Sequence, residues 1–184
     1  MVVERGLCTD NNTSTASSSV EVKCEKRTNG RSDALLDDLK EEFDSLSTLT
    51  NFNRTGADVR AVFASKEKIV CEMVVGPGHV NAKGTLHGGQ TASLTDIVTA
   101  RAVGLSVKDQ AMASIELSVS YMHPVKLGDV IEITAYVLKI GRNVAFAEAE
   151  FRRKSDGKLA AKGRHTIAIL PRLPNQEGAK IAQY

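Results

Sequence analysis

Sixteen consecutive residues, Asn81-Ala82-Lys83-Gly84-Thr85-Leu86-His87-Gly88-Gly89-Gln90-Thr91-Ala92-Ser93-Leu94-Thr95-Asp96, gather an amide, an imidazole, two adjacent glycines and a carboxylate. From Gly84 to Ala100 the ionisable side chains are His87 and Asp96 alone. A carboxylate on an apolar helix is costly when ionised unless a partner or water supports it. Burial raises its pKa and makes it a better proton acceptor near neutral pH. Asp96 is thus a candidate general base, and a helix carboxylate that satisfies a local hydrogen bond is an equally weighted alternative. Gly88 and Gly89 fall where a helix begins, with free N–H groups and the positive end of the helix dipole. Without a side chain at Gly88, a carbonyl oxygen can approach its N–H closely. That is one half of an oxyanion hole, and the Asn81 carboxamide is the candidate for the other half. A Gly-Gly pair also serves simply to make a tight loop. His87, between Leu86 and the glycines, reads as a positioning group. His79, His123 and His165 have no comparable company and read as structural.

Other chemistries find no footing. There is no Gly-x-Ser-x-Gly elbow, and neither Ser93 nor Ser114 has a His–Asp relay visible in sequence. No His-Glu-x-x-His, EF-hand or zinc spacing is present, so neither metal nor cofactor is expected. The expectation is a water nucleophile activated by a carboxylate.

The elements that must position these groups follow from periodicity. Ser32 or Asp33 caps a helix on which Leu35, Leu36, Leu39, Phe43 and Leu46 recur at helical spacing, with acids on the other face. Val59–Phe63 and Ile69–Val75 read as strands joined through Ser65-Lys66-Glu67-Lys68, and Gly76-Pro77-Gly78 ends the second. A helix from about Gly88 to Gly104 is apolar almost all round and must be wrapped on most sides, by a curved sheet or by a second subunit. Four strands follow. In the first, Ile115, Leu117, Val119 and Tyr121 alternate with Ser114, Glu116, Ser118 and Ser120. The others are Val130–Ile140, Val144–Arg152 and Leu159–Leu170, with a hairpin turn at Gly141-Arg142-Asn143. This is an α+β architecture with six antiparallel strands and one long helix.

Composition bounds the rest. With 184 residues the chain is read as one domain plus tails. Residues 1–31 form a polar, Ser-rich extension expected to be disordered, residues 32–170 the domain, and residues 171–184 a loose tail after Pro171. No apolar run reaches membrane-span length, so no integral membrane segment is expected. Met1–Leu7 lacks a signal h-region. Glu4, Asp10, Glu21 and Glu25 argue against a transit peptide, although Ser and Thr are abundant there. Cys8, Cys24 and Cys71 match neither a disulfide framework nor a zinc site and fit a reducing compartment, leaving cytoplasm and mitochondrion open. Between Lys139 and Arg172 nine basic residues face only Glu148, Glu150 and Asp156 as acids. That excess is compatible with a phosphate-bearing ligand, or with a solvated strand surface. At 4% aromatics, stacking platforms for single-stranded nucleic acid are scarce, and no nucleic-acid partner is expected.

Asn81-x-x-Gly84-Thr85-Leu86-His87-Gly88-Gly89 followed by Asp96 resembles the hotdog-fold acyl-CoA thioesterases of the PaaI-like type. Three further blocks carry the resemblance: Ser118–Met122 with Pro124 and Lys126-Leu127-Gly128, Ile133–Ala135 with Val137–Lys139, and Gly157–Leu159 with Gly163–Thr166. It implies a hotdog fold, a curved six-stranded antiparallel sheet wrapped around a long central helix. It implies hydrolysis of acyl-CoA, read as medium- to long-chain fatty acyl-CoA, to free acid and CoA. It further implies a homodimer that completes two composite sites, commonly paired into a homotetramer. By the resemblance Asp96 is the catalytic carboxylate, Asn81 and the Gly88 N–H polarise the thioester carbonyl, His87 is the site histidine, and Ser114 places the water. Lys139, Gly141, Arg142 and Asn143 align with a CoA-contacting hairpin. A non-catalytic acyl-CoA-binding scaffold of the same fold is the alternative. A hydratase would need a different arrangement of histidine and acid. Lys83 and Gln90, which border the pocket, depart from the family's pattern.

Overall fold

The computed structural model of the chain describes residues 26–107 and 110–171. Helix α1 (Lys26–Ser45) is followed by 3-10 turns at Leu46–Thr48 and Phe52–Gly56. Strands β1 (Arg60–Ala64) and β2 (Lys68–Val74) come next, then a 3-10 turn at Pro77–His79 and helix α2 (Gly88–Gly104). Strands β3 (Met112–Tyr121), β4 (Val130–Ile140), β5 (Val144–Arg153) and β6 (Leu159–Ile169) complete the domain. The six strands form one antiparallel sheet in the order β1-β2-β4-β5-β6-β3. This is the expected hotdog arrangement. α1 starts before Ser32, at Lys26: adding a residue to turns already formed costs far less than nucleating them, so the helix extends through Thr28, Asn29 and Gly30 despite their low propensity. Residues 1–25 and 172–184, which hold Cys8, Cys24 and most of the expected tails, lie outside the described residues.

α2 lies against β2 to β6. Leu94, Ile97, Val98, Ala102 and Val103 are buried, and so are Thr91, Thr95 and Thr99. The threonines enter the core because each returns its hydroxyl hydrogen to a backbone carbonyl one turn back: Thr91 to His87, Thr95 to Thr91, Thr99 to Thr95. The Thr95 methyl then meets β6 at Gly163. Inward residues of β4 and β5 (Ile131, Ile133, Ala135, Ala145, Ala147, Ala149, Phe151) complete the core. α1 covers the β1 edge through Leu39 and Phe43, and the Arg101 guanidinium of α2 stacks on the Phe43 ring at 4.9 Å. Cys71 is fully buried, and burial pushes its thiol up to about 12, so it is an inert core residue as its strand pattern suggests. Among the described residues no helix is long and apolar enough to cross a membrane.

Two local features set the geometry of the site. β3 carries a bulge at Ile115: Ser114 pairs with Ile167, whereas Glu116 pairs with Thr166. Strict alternation puts Ser114 with Glu116 on the outer face. The extra residue shifts the phase, and Ser114 joins Leu117 and Val119 on the side facing α2. The second feature is the contact of β6 with α2 at Gly163. A Cβ there would lie 2.3 Å from Thr95 Cγ2 and 2.7 Å from its Oγ1, so helix and strand approach only because the side chain is absent. Gly163→Ala is therefore expected to destabilise the domain by about 3 kcal/mol or more, since a packed core accommodates an added methyl poorly. Combining it with Thr95→Ala, which removes the two nearest atoms, should recover part of the loss. Chemical denaturation of the single and double variants measures both.

Candidate active site

Asp96 sits a little over two turns into α2, 44% exposed, with its Oδ1 accepting the Ser114 hydroxyl at 2.8 Å. Its own chain does not bury it as the apolar helix pattern suggests, because β3 next to it is the uncovered edge of the sheet. Beneath the pair lies His165 of β6, 2% exposed. His165 Nε2 is 2.9 Å from Ser114 Oγ and 3.3 Å from Asp96 Oδ1. Its Nδ1 is 2.7 Å from Thr99 Oγ1. The sequence reading set His165 aside as structural; the fold brings it into the Asp96–Ser114 pair. The signal was present in β6, where alternation puts Ala161, Gly163, His165 and Ile167 on the core side, a place that seldom holds an imidazole without a partner.

Proton positions follow from counting donors. The single hydrogen of Thr99 goes to the Thr95 carbonyl at 2.6 Å, so Thr99 Oγ1 accepts from His165 Nδ1–H. The neutral ring then presents a bare Nε2 to Ser114 and Asp96. Three heavy atoms, Asp96 Oδ1, Ser114 Oγ and His165 Nε2, meet with one hydrogen among them, that of Ser114. The Ser114 hydrogen serves the Asp96 carboxylate, and the His165 Nε2 lone pair faces the pair without a proton of its own. The cluster is not a serine-protease relay, which needs the carboxylate on the histidine nitrogen remote from the serine. Here carboxylate and serine share one nitrogen, and the remote nitrogen is held by Thr99.

The second group of predicted residues lies at the start of α2. His87 is its N-cap, and His87 Nδ1 accepts the Gly89 N–H at 2.9 Å, which leaves the proton on its exposed Nε2. The Asn81 carboxamide organises its own loop. Its Oδ1 accepts the Lys83 N–H at 2.9 Å and its Nδ2 donates to Thr85 Oγ1 at 3.0 Å. Gly84 takes the positive φ of 71° that this turn requires. The Gly88 carbonyl accepts the Tyr121 hydroxyl at 2.8 Å. A cavity of about 210 Å³ opens nearby, lined by Leu86, Thr91, Tyr121, Met122, Pro124 and Phe151 among others.

The fold thus makes two clusters, Asp96–Ser114–His165 and Asn81–His87–Gly88, and separates them. Gly88 and Asp96 are eight residues apart on one helix, about 12 Å at 1.5 Å per residue. Helix N–H groups at the first turn point out of the N-terminal end, away from Asp96, so an oxygen held there lies farther still.

Lys139, Gly141, Arg142 and Asn143 sit together on the β4–β5 hairpin, closed by Gly141 N–H donating to Val144 O at 2.8 Å. Val144 pairs with Ala168, and Ala168 with Ala113. The hairpin therefore lies at the Ser114 end of the sheet, two strand spacings or about 10 Å away. The basic excess is largely spent within the chain: Arg152, Arg153, Lys154, Lys158 and Lys162 all pair with Glu148, Glu150, Asp156 or Glu72. Lys139, Arg142 and Arg164 remain without an ion pair among the described residues. No cluster of three or more His, Cys, Asp or Glu placed to hold a metal occurs among those residues.

Comparison with known proteins agrees with this architecture. The thioesterase superfamily model matches residues 83–160. Acyl-coenzyme A thioesterase 13 of Homo sapiens is 41% identical over 128 residues, 70% of this chain and 91% of its own. A Caenorhabditis elegans protein with a provisional esterase designation is 61% identical over 150 residues, 82% of this chain and 87% of its own. The crystal structure of zebrafish thioesterase superfamily member 2 superposes with a TM-score of 0.71 at 39% identity, over 73% of this chain and 98% of that one. The chain belongs to the thioesterase superfamily, and it is an enzyme of the thioester-hydrolase class.

Burial holds the His165 imidazole below the ordinary histidine range, with the Asp96 carboxylate pulling the other way. The unfolded chain therefore binds more protons in the window between the two values, and stability falls as pH drops below about 6.5. The urea midpoint should be lower at pH 5.5 than at pH 7.5. His165→Asn, whose amide can still donate to Thr99, should flatten that slope, and an unchanged slope would assign the titration elsewhere.

Proposed function

We propose that the protein hydrolyses acyl-CoA thioesters to a free acid and CoA, at sites completed by two copies of the chain. The observation that carries this reading is the separation just described. A proton-accepting cluster lies open at a free sheet edge, and a carbonyl-gripping helix start lies out of its reach in the same chain. A C2 pairing of β3 with the β3 of a second copy would cover the exposed Ile115, Leu117 and Tyr121 and extend the sheet. It would set Asp96 and Ser114 of one copy against Asn81, His87 and Gly88 of the other, and it would supply the burial that Asp96 lacks alone. Exposed Val74 and Phe146 on the outer face support pairing of two such dimers.

In this reading the Gly88 N–H and the Asn81 amide hold the thioester oxygen, and Ser114 orients a water on Asp96. The water oxygen bonds to the carbonyl carbon as its proton passes to Asp96, with His165 Nε2 as the adjoining acceptor. The tetrahedral intermediate then expels the thiolate by C–S cleavage, and the thiolate takes up the proton. Lys139, Arg142 and Arg164 are the cations left to meet the CoA phosphates. The acyl group, read as a medium- to long-chain fatty one, is assigned to the cavity lined by Leu86, Tyr121 and Phe151. Cysteine usage supports the cytoplasm or the mitochondrion.

Purified protein should release thiol from fatty acyl-CoA, and Asp96→Asn should lower the rate by at least about a hundredfold with the fold intact. Tight acyl-CoA binding without thiol release would favour the scaffold reading. Mixing and reassembling Asp96→Asn with Asn81→Ala should restore about one quarter of wild-type activity, since half the dimers carry one intact site. No recovery in demonstrably mixed dimers would place both clusters' work within one chain.

A further inference from the structure

The loop carrying Asn81 and His87 is tied at both ends to one short segment that the site reading does not use. After Gly88-Gly89, Gln90 Nε2 donates to the carbonyl of Thr55, in the Phe52–Gly56 turn, at 2.7 Å. Before Asn81, His79 Nε2 lies 2.9 Å from Asp58 Oδ2. The His79 ring is 12% exposed, and its Nδ1 accepts the Gly76 N–H at 3.0 Å. With Nδ1 an acceptor, the ring proton is on Nε2 and is donated to Asp58. The His79 carbonyl in turn accepts the His87 N–H at 2.8 Å. Between these ties the loop closes on itself through the Val80–Leu86 bridge and the Asn81 N–H to Thr85 O bond at 2.8 Å.

We propose that residues 52–58 form a brace that sets the position of the carbonyl-gripping donors, with Asp58, His79 and Gln90 as positioning residues. The proposal rests on the hydrolase reading above. None of the three touches the reacting atoms. They act through the backbone: the imidazole is anchored on Asp58, its own carbonyl anchors His87, and His87 caps the helix whose first N–H groups grip the oxygen. Gln90 pins the same first turn from the other side. An oxyanion donor is useful only at hydrogen-bond distance from where the charge develops, so a small displacement of this turn weakens the transition state more than substrate binding.

The test exploits the two ring nitrogens. His79→Asn keeps an acceptor near the Nδ1 position and loses the reach to Asp58; His79→Gln keeps a donor near the Nε2 position. Per folded enzyme, Asp58→Ala and His79→Asn should lower kcat by about tenfold or more, with KM held within about twofold. His79→Gln should recover most of that loss, and Asp58→Ala with His79→Asn should be no slower than the worse single variant. A merely structural role would lower Tm and leave kcat per folded molecule unchanged, and that result overturns the brace, as does His79→Gln performing no better than His79→Asn. Amide exchange at His87–Gly89, read without substrate, should quicken in Asp58→Ala. Wild-type protein that releases no thiol would overturn the hydrolase reading, whereas unchanged exchange in Asp58→Ala would overturn the brace itself.

Discussion

An α-helix advances 1.5 Å per residue and points its first N–H groups outward, and the working parts of this protein are arranged around that fact. Gly88 opens α2 and Asp96 follows eight residues later. The two ends therefore cannot serve one carbonyl within one chain. The sheet leaves the Asp96 end open, because β3 is an edge strand with exposed apolar residues, and it leaves the Gly88 end rigidly capped. Helix geometry and edge exposure together are what support the proposal that a second copy completes the site.

Rigidity has identifiable sources. Gly163 lets β6 press on Thr95, and the threonines of α2 turn their hydroxyls back on the helix so that the core can accept them. One of them, Thr99, then fixes the tautomer of His165. A packing device thus has a chemical consequence: the nitrogen left facing Asp96 and Ser114 is the one without a proton. Tight packing of α2 against the sheet and the electronic state of the cluster come from the same residues.

The electrostatics divide in a similar way. Five cations of the basic C-terminal half are neutralised by acids of the same chain: Arg152, Arg153 and Lys158 by acids two or three residues away, Lys154 by Glu72 of β2, and Lys162 across the β5–β6 pair by Glu148. Lys139, Arg142 and Arg164 are without an ion pair among the described residues. Linear charge density overstates what the sheet offers a polyanionic ligand, because most of these cations already hold an acid, some within three residues and others across the sheet.

The sequence by itself determined the elements, their order and the candidate site segments, because helical and strand periods and turn residues are local properties. Asn81, His87, Gly88 and Asp96 were legible since they sit within sixteen residues on one loop and helix. The separation of Gly88 from Asp96 was itself legible, since eight residues of a helix span about 12 Å. Tertiary structure decided the rest. Ser114 faces Asp96 only because a bulge at Ile115 reverses the phase of the strand, and a single unpaired residue leaves almost no trace in an alternation pattern. His165 enters the cluster across 69 residues of chain because β6 is hydrogen-bonded to β3, a non-local pairing that no local pattern encodes.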